Sequence, residues 1–168
     1  GAHVRIDVLL PVFWGAPSEH ETKAGLHWSY AGLPPLVQAR EELLREGKHP
    51  PRIGLFYDTS TLQYNSWGEH IDLTTDFGRR WFYATIRDFF SLVPPWRWAR
   101  LDGRAVVWLY WSGWPASIPG DIFDDARSRF AADFGGADLV FVGDSGWDAA
   151  GASVDLRYAW GAALSGPV

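Results

Sequence analysis

Hydrophobic residues gather in five short stretches along the chain, and each stretch ends in aromatic, acidic or small polar residues. The stretches are residues 4–15, 52–60, 104–114, 137–147 and 154–161. Unbroken apolar runs are typical of parallel strands that are covered on both faces, whereas half-exposed strands alternate apolar with polar positions. The pattern therefore predicts about five parallel strands. Since ligands of parallel α/β folds bind at the carboxyl ends of strands, the polar ends of the stretches are the expected site.

Three helical patterns separate the first four strands. Residues 34–47 begin with two prolines and stop at Gly47, residues 74–93 can be capped by Thr74 or Thr75, and residues 121–134 begin acidic and stop before two glycines. The last connection, residues 143–153, is too short for more than a loop or a degenerate helix. The order predicts an α/β fold, and both an open doubly wound sheet and part of a barrel fit it.

The motifs favour the barrel. No GxGxxG or GxxxxGK[ST] follows the first strand, so the nucleotide-binding versions of the open sheet lose their main support. A closed (β/α)8 barrel takes about 250 residues. We therefore predict a partial TIM barrel, with residues 1–168 forming a single α/β domain that is a fragment of a larger barrel.

Composition narrows the class of partner. The chain of 168 residues is 47% hydrophobic, enough for one real core, and its net charge of −5 comes with no run of basic residues, so nucleic acid is not expected. No apolar stretch approaches the roughly 20 residues of a membrane span, and the first residues lack the features of a signal peptide. We expect no membrane partner. The absence of cysteine leaves the compartment open, secretion included.

Tryptophan is the unusual component, with 11 residues. Aromatic rings are the usual floor for a sugar ring, because they offer a large apolar face. Aromatic residues at the ends of strands are therefore candidates for substrate binding. They are Trp14, Tyr57, Tyr110, Trp111, Trp147 and Trp160. The alternative is that these rings only fill the core.

Carboxylates at the same strand ends are candidates for catalysis, since glycoside hydrolysis usually needs two of them. Asp58 and Asp144 each follow a strand directly, and Glu19 lies in a long loop after the first strand. Three further polar residues of the long loops, 16–32 and 61–73, could reach the same cleft: His20, His27 and Glu69. The alternative is that Asp58 and Asp144 only cap local turns.

Other chemistries have little support in the sequence. His20, His27 and Glu19 share a loop but lack the spacing of a metal motif, so we predict neither a metal nor a cofactor. The GDSG segment at 143–146 does not have the glycine spacing of a serine nucleophile elbow.

Long phrases of the chain resemble a bacterial family known as domain of unknown function 5010. They include LLPVFWGAPSE, LPPLVQAREELLREGKHPPRIGLFYDTSTL and HIDLTTDFGRRWFYATIRDFFSLVPP. That family is similar to barrel-type glycoside hydrolases, with families 99 and 71 nearest in character. The resemblance implies roughly strands two to six of a (β/α)8 barrel. Family 99 enzymes carry a pair of glutamates on a strand-end segment, and this chain has no Glu-x-x-Glu at the end of a predicted strand.

Together these observations predict a carbohydrate-active glycoside hydrolase that uses carboxylate acid/base chemistry. The alternative is a non-catalytic glycan-binding module with the same aromatic cleft. The open edges of a partial barrel also predict self-association, because unpaired strand edges readily pair with another copy.

Overall fold

A sheet of parallel strands forms the centre of the fold in the computed structural model, which describes residues 5–17 and 28–159. The strands are β1 (Val8–Leu9), β2 (Val12–Phe13), β3 (Arg52–Ile53), β4 (Leu55–Tyr57), β5 (Arg100–Leu101), β6 (Arg104–Leu109), β7 (Leu139–Gly143) and β8 (Leu156–Arg157). The order across the sheet is β2-β4-β6-β7-β8, and all four of these pairings are parallel. Strands β1 and β3 form a second parallel pair, so the first two predicted strands are each divided into two parts. The predicted α/β class with parallel strands is confirmed.

Four helices connect the strands: α1 (Trp28–Arg45), α2 (Asp76–Leu92), α3 (Ile122–Asp133) and α4 (Ser145–Ala149). Helix α2 begins as predicted, because the Thr75 hydroxyl accepts a hydrogen bond from the Gly78 amide at 3.0 Å. Helix α3 follows Asp121 at its N-cap position, although the Asp121 side chain makes no cap bond. Helix α4 fills the short last connection.

Helix α1 differs from its prediction. It already includes Trp28, and Pro34 and Pro35 lie inside it. Pro34 resembled the first residue of a helix, because a proline lacks a backbone N–H donor and disfavours the helical conformation in the residue before it. The predicted start at Pro34 is wrong.

A short hairpin was not predicted. Strand β5 pairs antiparallel with β6, and the chain reverses at Asp102 and Gly103, whose φ angles are 49° and 81°. Both residues are in the left-handed region, which is typical of the tight turns that Asp-Gly pairs form between strands.

The core lies on one side of the sheet, under α2 and α3. Phe82 of α2 is fully buried, and Phe123 of α3 stacks on Phe141 of β7 with ring centroids 4.4 Å apart. The predicted cover on both faces holds for β7, whose five residues are all buried, but not for β6. Its Ala105, Val107 and Leu109 are buried and its intervening residues are only half-buried.

Candidate functional site

A cleft opens at the carboxyl ends of β6, β7 and β8, where the sequence places the site. Its volume is about 610 Å³. It is lined by Tyr110, Trp111, Ser112, Asp144, Ser145, Gly146, Tyr158 and Ala159. We call it the carboxyl-end cleft. Its lining combines aromatic rings with hydroxyl, carboxylate and backbone groups, which is the mixture that an amphipathic ligand requires.

Asp144 is the carboxylate of this cleft. It directly follows β7 and caps helix α4, where its Oδ1 accepts a hydrogen bond from the Gly146 amide at 2.6 Å. Oδ1 also accepts from the Ser112 hydroxyl at 3.0 Å, and Oδ2 accepts from the Ser112 amide at 3.1 Å. The half-buried carboxylate thus joins the segments that follow β6 and β7.

Glycine is required beside this carboxylate. A Cβ atom at Gly146 would lie 2.0 Å from the Ser112 hydroxyl oxygen and 2.7 Å from Asp144 Oδ1. Real Cβ atoms do not approach other atoms so closely, so any larger residue would push Ser112 and Asp144 apart. The close packing of three residues therefore holds the carboxylate in one orientation.

Tyr158 also lines the cleft. Its hydroxyl donates toward the carbonyl oxygens of Leu109, at 2.8 Å, and of Tyr110, and its ring lies 4.8 Å from that of Trp108. Burial, together with the nearby charge of Asp144, raises the pKa of Tyr158 to about 12. The phenol is therefore protonated at neutral pH and ties the end of β8 to the end of β6.

Three aromatic rings form a row that begins at the cleft, where Trp111 is part of the lining, and we call Trp111, Trp114 and Tyr64 the aromatic rim. Trp111 and Trp114 meet edge to face at 5.0 Å, and Tyr64 meets Trp114 at 5.2 Å. Trp111 and Tyr64 are each 49% exposed. Large aromatic side chains that stay half in water beside a cleft are suited to receive the apolar face of a sugar.

Trp111 is held by a side chain of the neighbouring strand end. The buried Thr59 hydroxyl donates to the Trp111 carbonyl at 2.7 Å and accepts from the Trp111 amide at 3.1 Å. It thereby continues the pairing of β4 with β6 beyond the last backbone bond, from the Tyr110 amide to the Tyr57 carbonyl.

The long loop after β4 is bonded to the loop after β6. The Ala116 amide donates to the Ile71 carbonyl at 2.9 Å, and the Leu73 amide donates to the Ser117 carbonyl at 3.0 Å. The His70 ring also lies at hydrogen-bonding distance from the Trp114 carbonyl, with Nδ1 at 3.0 Å. These contacts support the position of the aromatic rim.

The predicted carboxylates occupy different positions. Asp144 lines the carboxyl-end cleft, whereas Asp58 does not. The Asp58 carboxylate accepts from the Ser60 amide at 3.1 Å and caps the short 3-10 helix Thr59–Leu62. Glu69 is exposed in the loop after β4, away from the residues that line the cleft. The structure therefore brings only one of these three carboxylates into the cleft.

The predicted aromatic residues also separate into groups. Tyr110 and Trp111 line the cleft. Tyr57 and Trp147 are fully buried and contact Phe82 in the core, with ring centroids at 5.3 and 6.2 Å, so neither lines the cleft. Tyr57 lies on the buried side of β4 and Trp147 lies in helix α4 against the core, which strand-end position alone does not reveal. Trp14 packs edge to face on Trp28 at 4.8 Å, at the end of β2.

Four predicted residues lie outside the described residues: Glu19, His20, His27 and Trp160. The possible histidine and glutamate cluster of the first long loop is therefore not placed. Within residues 5–17 and 28–159, no three carboxylate or histidine side chains come close enough together to hold a metal ion. No helix in those ranges has the length and apolar character of a membrane span.

Sequence reasoning missed Ser112, Tyr158 and Tyr64 as site residues. Ser112 and Tyr158 both lie just beyond strands, within stretches that were recognised as strand ends. Their strand-end position was therefore a signal, but a hydroxyl group at such a position is less distinctive than a carboxylate or an indole ring. Tyr64 lies seven residues beyond β4, and only the folding of its loop brings it beside Trp114.

The structure is similar to a solved protein described as a glycoside hydrolase-like protein. The two share 22% sequence identity and superpose with a TM-score of 0.57 over 87% of this chain and 44% of the other. The chain thus spans less than half the length of that protein. At this identity the similarity shows the fold, which matches part of a glycosidase-like barrel.

No curated protein matches the sequence. A family profile matches residues 2–164, which is nearly the whole chain. The predicted resemblance is confirmed, and the chain belongs to the family described as Domain of unknown function (DUF5010).

Proposed function

We propose that this protein is a glycoside hydrolase that binds its glycan in the carboxyl-end cleft, with Asp144 as the carboxylate that meets the sugar. The observation that carries the proposal is the position of Asp144, at the carboxyl end of a parallel strand in a cleft with Trp111 on its rim. Catalytic residues of (β/α)8 barrels come from the carboxyl ends of strands. The glycosidase-like fold supports this assignment.

The hydrogen bonds of Asp144 favour one of the two carboxylate roles. It accepts three bonds from donor groups of Ser112 and Gly146, and an ionised carboxylate is the form that only accepts. A group held in this way is suited to act as a base or nucleophile, or to accept a bond from a sugar hydroxyl. It is less suited to donate the proton to the leaving oxygen.

Asp58 is the proposed second carboxylate, although its side chain lies outside the cleft lining and caps the Ser60 amide in this structure. Strand β6 separates β4, which Asp58 follows, from β7, which Asp144 follows. Two strand spacings correspond to roughly 10 Å between the two strand ends. Inverting glycosidases hold their carboxyl groups about 6.5–9.5 Å apart, with a water molecule between them. The spacing of the strand ends therefore favours an inverting arrangement, which would require the Asp58 carboxylate to leave its cap on the Ser60 amide.

A non-catalytic glycan-binding module is the second candidate function. It is favoured by the fact that both carboxylates already act as caps, Asp144 on the Gly146 amide and Asp58 on the Ser60 amide. In a binding module these carboxylates would only accept bonds from hydroxyl groups, while the aromatic rim supplied the apolar contact.

The test is the release of reducing sugar from α-mannans, α-glucans and β-glucans by the wild type and by Asp144→Asn. Asparagine is as good an N-cap as aspartate, so helix α4 should persist in the variant. Asp138→Asn is the matched control, because Asp138 lies at the other end of the same strand and is half exposed. We expect activity in the wild type and control and at least a hundred-fold less in Asp144→Asn, of the order that acid–base catalysis contributes.

The same panel distinguishes the two functions. Hydrolysis that survives in Asp144→Asn would contradict the assigned role of Asp144. A glycan that quenches tryptophan fluorescence without being cleaved would favour the binding module. Trp111→Ala should weaken binding under both functions, and an unchanged affinity in this variant would contradict the cleft as the binding site.

A further inference from the structure

A second cleft lies at the opposite end of the sheet, where β1 and β3 begin. Its volume is about 450 Å³, and five arginine side chains line it: Arg5, Arg40, Arg52, Arg97 and Arg100. We call it the arginine cleft. It holds a third of the chain's 15 basic residues, although the whole chain carries a net charge of −5. Such a concentration of positive charge on an acidic chain needs an explanation.

Carboxylates neutralise only part of this charge. Arg97 forms a two-bond pair with Glu41, at 2.6 and 2.7 Å, and Arg5 pairs with Asp7 at 2.7 Å. Among the described residues, Glu41 and Asp7 are the carboxylates that pair with arginines of this cleft. Within that part of the chain, five guanidinium groups against two paired carboxylates leave an excess of three positive charges.

Neutral carbonyl groups take up the other donors. Arg40 donates to the carbonyl oxygens of Pro51, at 2.6 Å, and Pro50, at 3.2 Å. Arg52 donates to the Trp96 carbonyl, and Arg100 donates to the Gly103 carbonyl at 2.7 Å. Carbonyl oxygens satisfy N–H groups but carry no net charge. These bonds therefore orient the guanidinium groups and leave their charge uncompensated.

Arg40 shows the imbalance most clearly, since its side chain is only 6% exposed. Its Nη1 is buried and has no hydrogen-bond acceptor among the described residues. Burial lowers the pKa of Arg40, the positive charges of Arg97 and Arg52 lower it further, and Glu41 opposes them. Glu41 Oε1 lies 3.6 Å from Arg40 Nη1 but already accepts from Arg97. An arginine does not lose its proton in proteins, so this buried charge shares one counter-charge with a neighbour.

We propose that the arginine cleft binds a tetrahedral oxyanion, a phosphate or sulfate group carried by a small ligand. The fork of a guanidinium group matches the oxygens of such an anion with two parallel bonds. An anion with four oxygens can be met by several guanidinium groups at once, whereas a carboxylate offers two oxygens. The cleft is larger than the ion alone, so it leaves room for the group that carries it. The site lies at the amino ends of the strands and is independent of the proposed hydrolase function.

Calorimetric titration with inorganic phosphate, sulfate and glycerol phosphate tests the proposal, at an ionic strength held constant with chloride. We expect saturable binding by the wild type. In Arg52→Gln we expect the affinity to be at least about ten-fold weaker, because a charge-assisted contact is lost. Arg129→Gln is the matched control, since Arg129 pairs with Asp125 on α3 and does not line the cleft. Tighter binding of glycerol phosphate than of inorganic phosphate would identify an ester, and the reverse would identify the free ion.

Two results would overturn the proposal. One is no heat of binding beyond that of chloride, and the other is equal loss of affinity in Arg52→Gln and Arg129→Gln. If circular dichroism shows that Arg52→Gln is unfolded, Arg5→Gln replaces it, because the Arg5 side chain is 83% exposed and contributes little to folding. Unchanged affinity in that folded variant, together with binding that persists in Arg100→Gln, would equally contradict the site.

Discussion

The two faces of the sheet differ in how they are covered. On one face, helices α2 and α3 bury alternate residues of β6 and pack Phe82 against rings of four elements. On the other face, Phe56, Trp108 and Tyr110 of adjacent strand ends are half-buried, and Leu156 of β8 is 44% exposed. The same strands thus carry a closed core on one side and an open aromatic surface on the other.

The difference shows how the fold places core residues beside residues that line the cleft. Because side chains alternate across a strand, Leu109 enters the core while Tyr110, the next residue, lines the carboxyl-end cleft. Residues that hold the sheet together and residues that can meet a ligand are therefore neighbours in sequence. Substitutions on the two faces should have different effects, and four of them test this in order of decreasing size.

Phe82→Ala should have the largest effect on stability. Phe82 is fully buried, and its loss leaves a cavity among four aromatic neighbours, which costs about 3–5 kcal/mol of unfolding free energy. Phe56→Ala is the comparison on the open face and should cost clearly less. Urea denaturation measures both. Equal losses would show that the open face is covered, for example by a second copy of the chain, and size-exclusion chromatography would then reveal the predicted self-association.

Asp155→Asn should have the next largest effect. Its carboxylate pairs with Arg104 of β6 and Arg127 of α3, each at 2.7 Å, and accepts from the Phe141 amide at 2.8 Å. Losing charged hydrogen bonds of this kind costs about 1.5–3 kcal/mol. Arg129→Ala, which breaks a single pair within α3, should cost much less.

The acid dependence of this variant supplies a second test. Burial acts to raise the pKa of Asp155, but the Phe141 amide and the two arginines outweigh it, so the pKa lies below its ordinary value. A lowered pKa in the folded state gives stability that is present above about pH 4 and is lost as the pH falls. The melting temperatures of wild type and Asp155→Asn should therefore converge below that pH. A difference that stayed constant down to pH 3 would contradict the role of the charge.

Gly146→Ala should affect stability and binding together. Its Cβ would collide with Ser112 and Asp144, and overpacking of this kind costs about 1–3 kcal/mol. Gly32→Ala in α1 is the control, because nothing lies within 4 Å of the new Cβ and alanine favours a helix. Denaturation and fluorescence titration with a glycan measure the two consequences. A stable Gly146→Ala that still bound glycan would show that the carboxylate does not need its present position.

Tyr158→Phe should have the smallest effect at neutral pH, about 1 kcal/mol, because it removes one hydroxyl that donates to backbone carbonyls. Its effect depends on alkaline pH. The folded-state pKa of about 12 exceeds the ordinary value of about 10, so the stabilising difference is complete below pH 10 and is lost between pH 10 and 12. The variant should lose less stability than the wild type in that range. Identical alkaline melting curves would contradict this.

Much of the fold could be predicted because it depends on local pattern. The apolar runs located the parallel strands, and the cap at Thr75 located the start of α2. Which faces of the strands are covered by helices could not be predicted from the same pattern. An apolar run such as residues 105–109 shows that both faces avoid charge, but not that helices cover only one of them. The Asp-Gly pair at 102–103 is a turn signal from which the β5–β6 hairpin could have been predicted.

The position of the cleft could be predicted, but which residues line it could be predicted only in part. Strand-end position correctly indicated where Asp144 and Trp111 would lie, since the carboxyl ends of parallel strands share one edge. It could not separate them from Tyr57 and Trp147, because the direction of a side chain depends on the register of its strand and on the turn that follows. The arginine cleft was beyond sequence reasoning, since its residues come from segments as distant as 5 and 100 and form no run.

The Thr59 hydroxyl that bonds to both backbone groups of Trp111 has a consequence for affinity. A flexible loop that ordered itself around a ligand would lose conformational freedom on binding, and that loss would subtract from the observed affinity. Here the backbone beneath the exposed indole is already anchored to the adjacent strand end. The backbone that carries the ring therefore needs little further ordering. A sugar that stacked on the ring would bind at a small entropic cost to the protein.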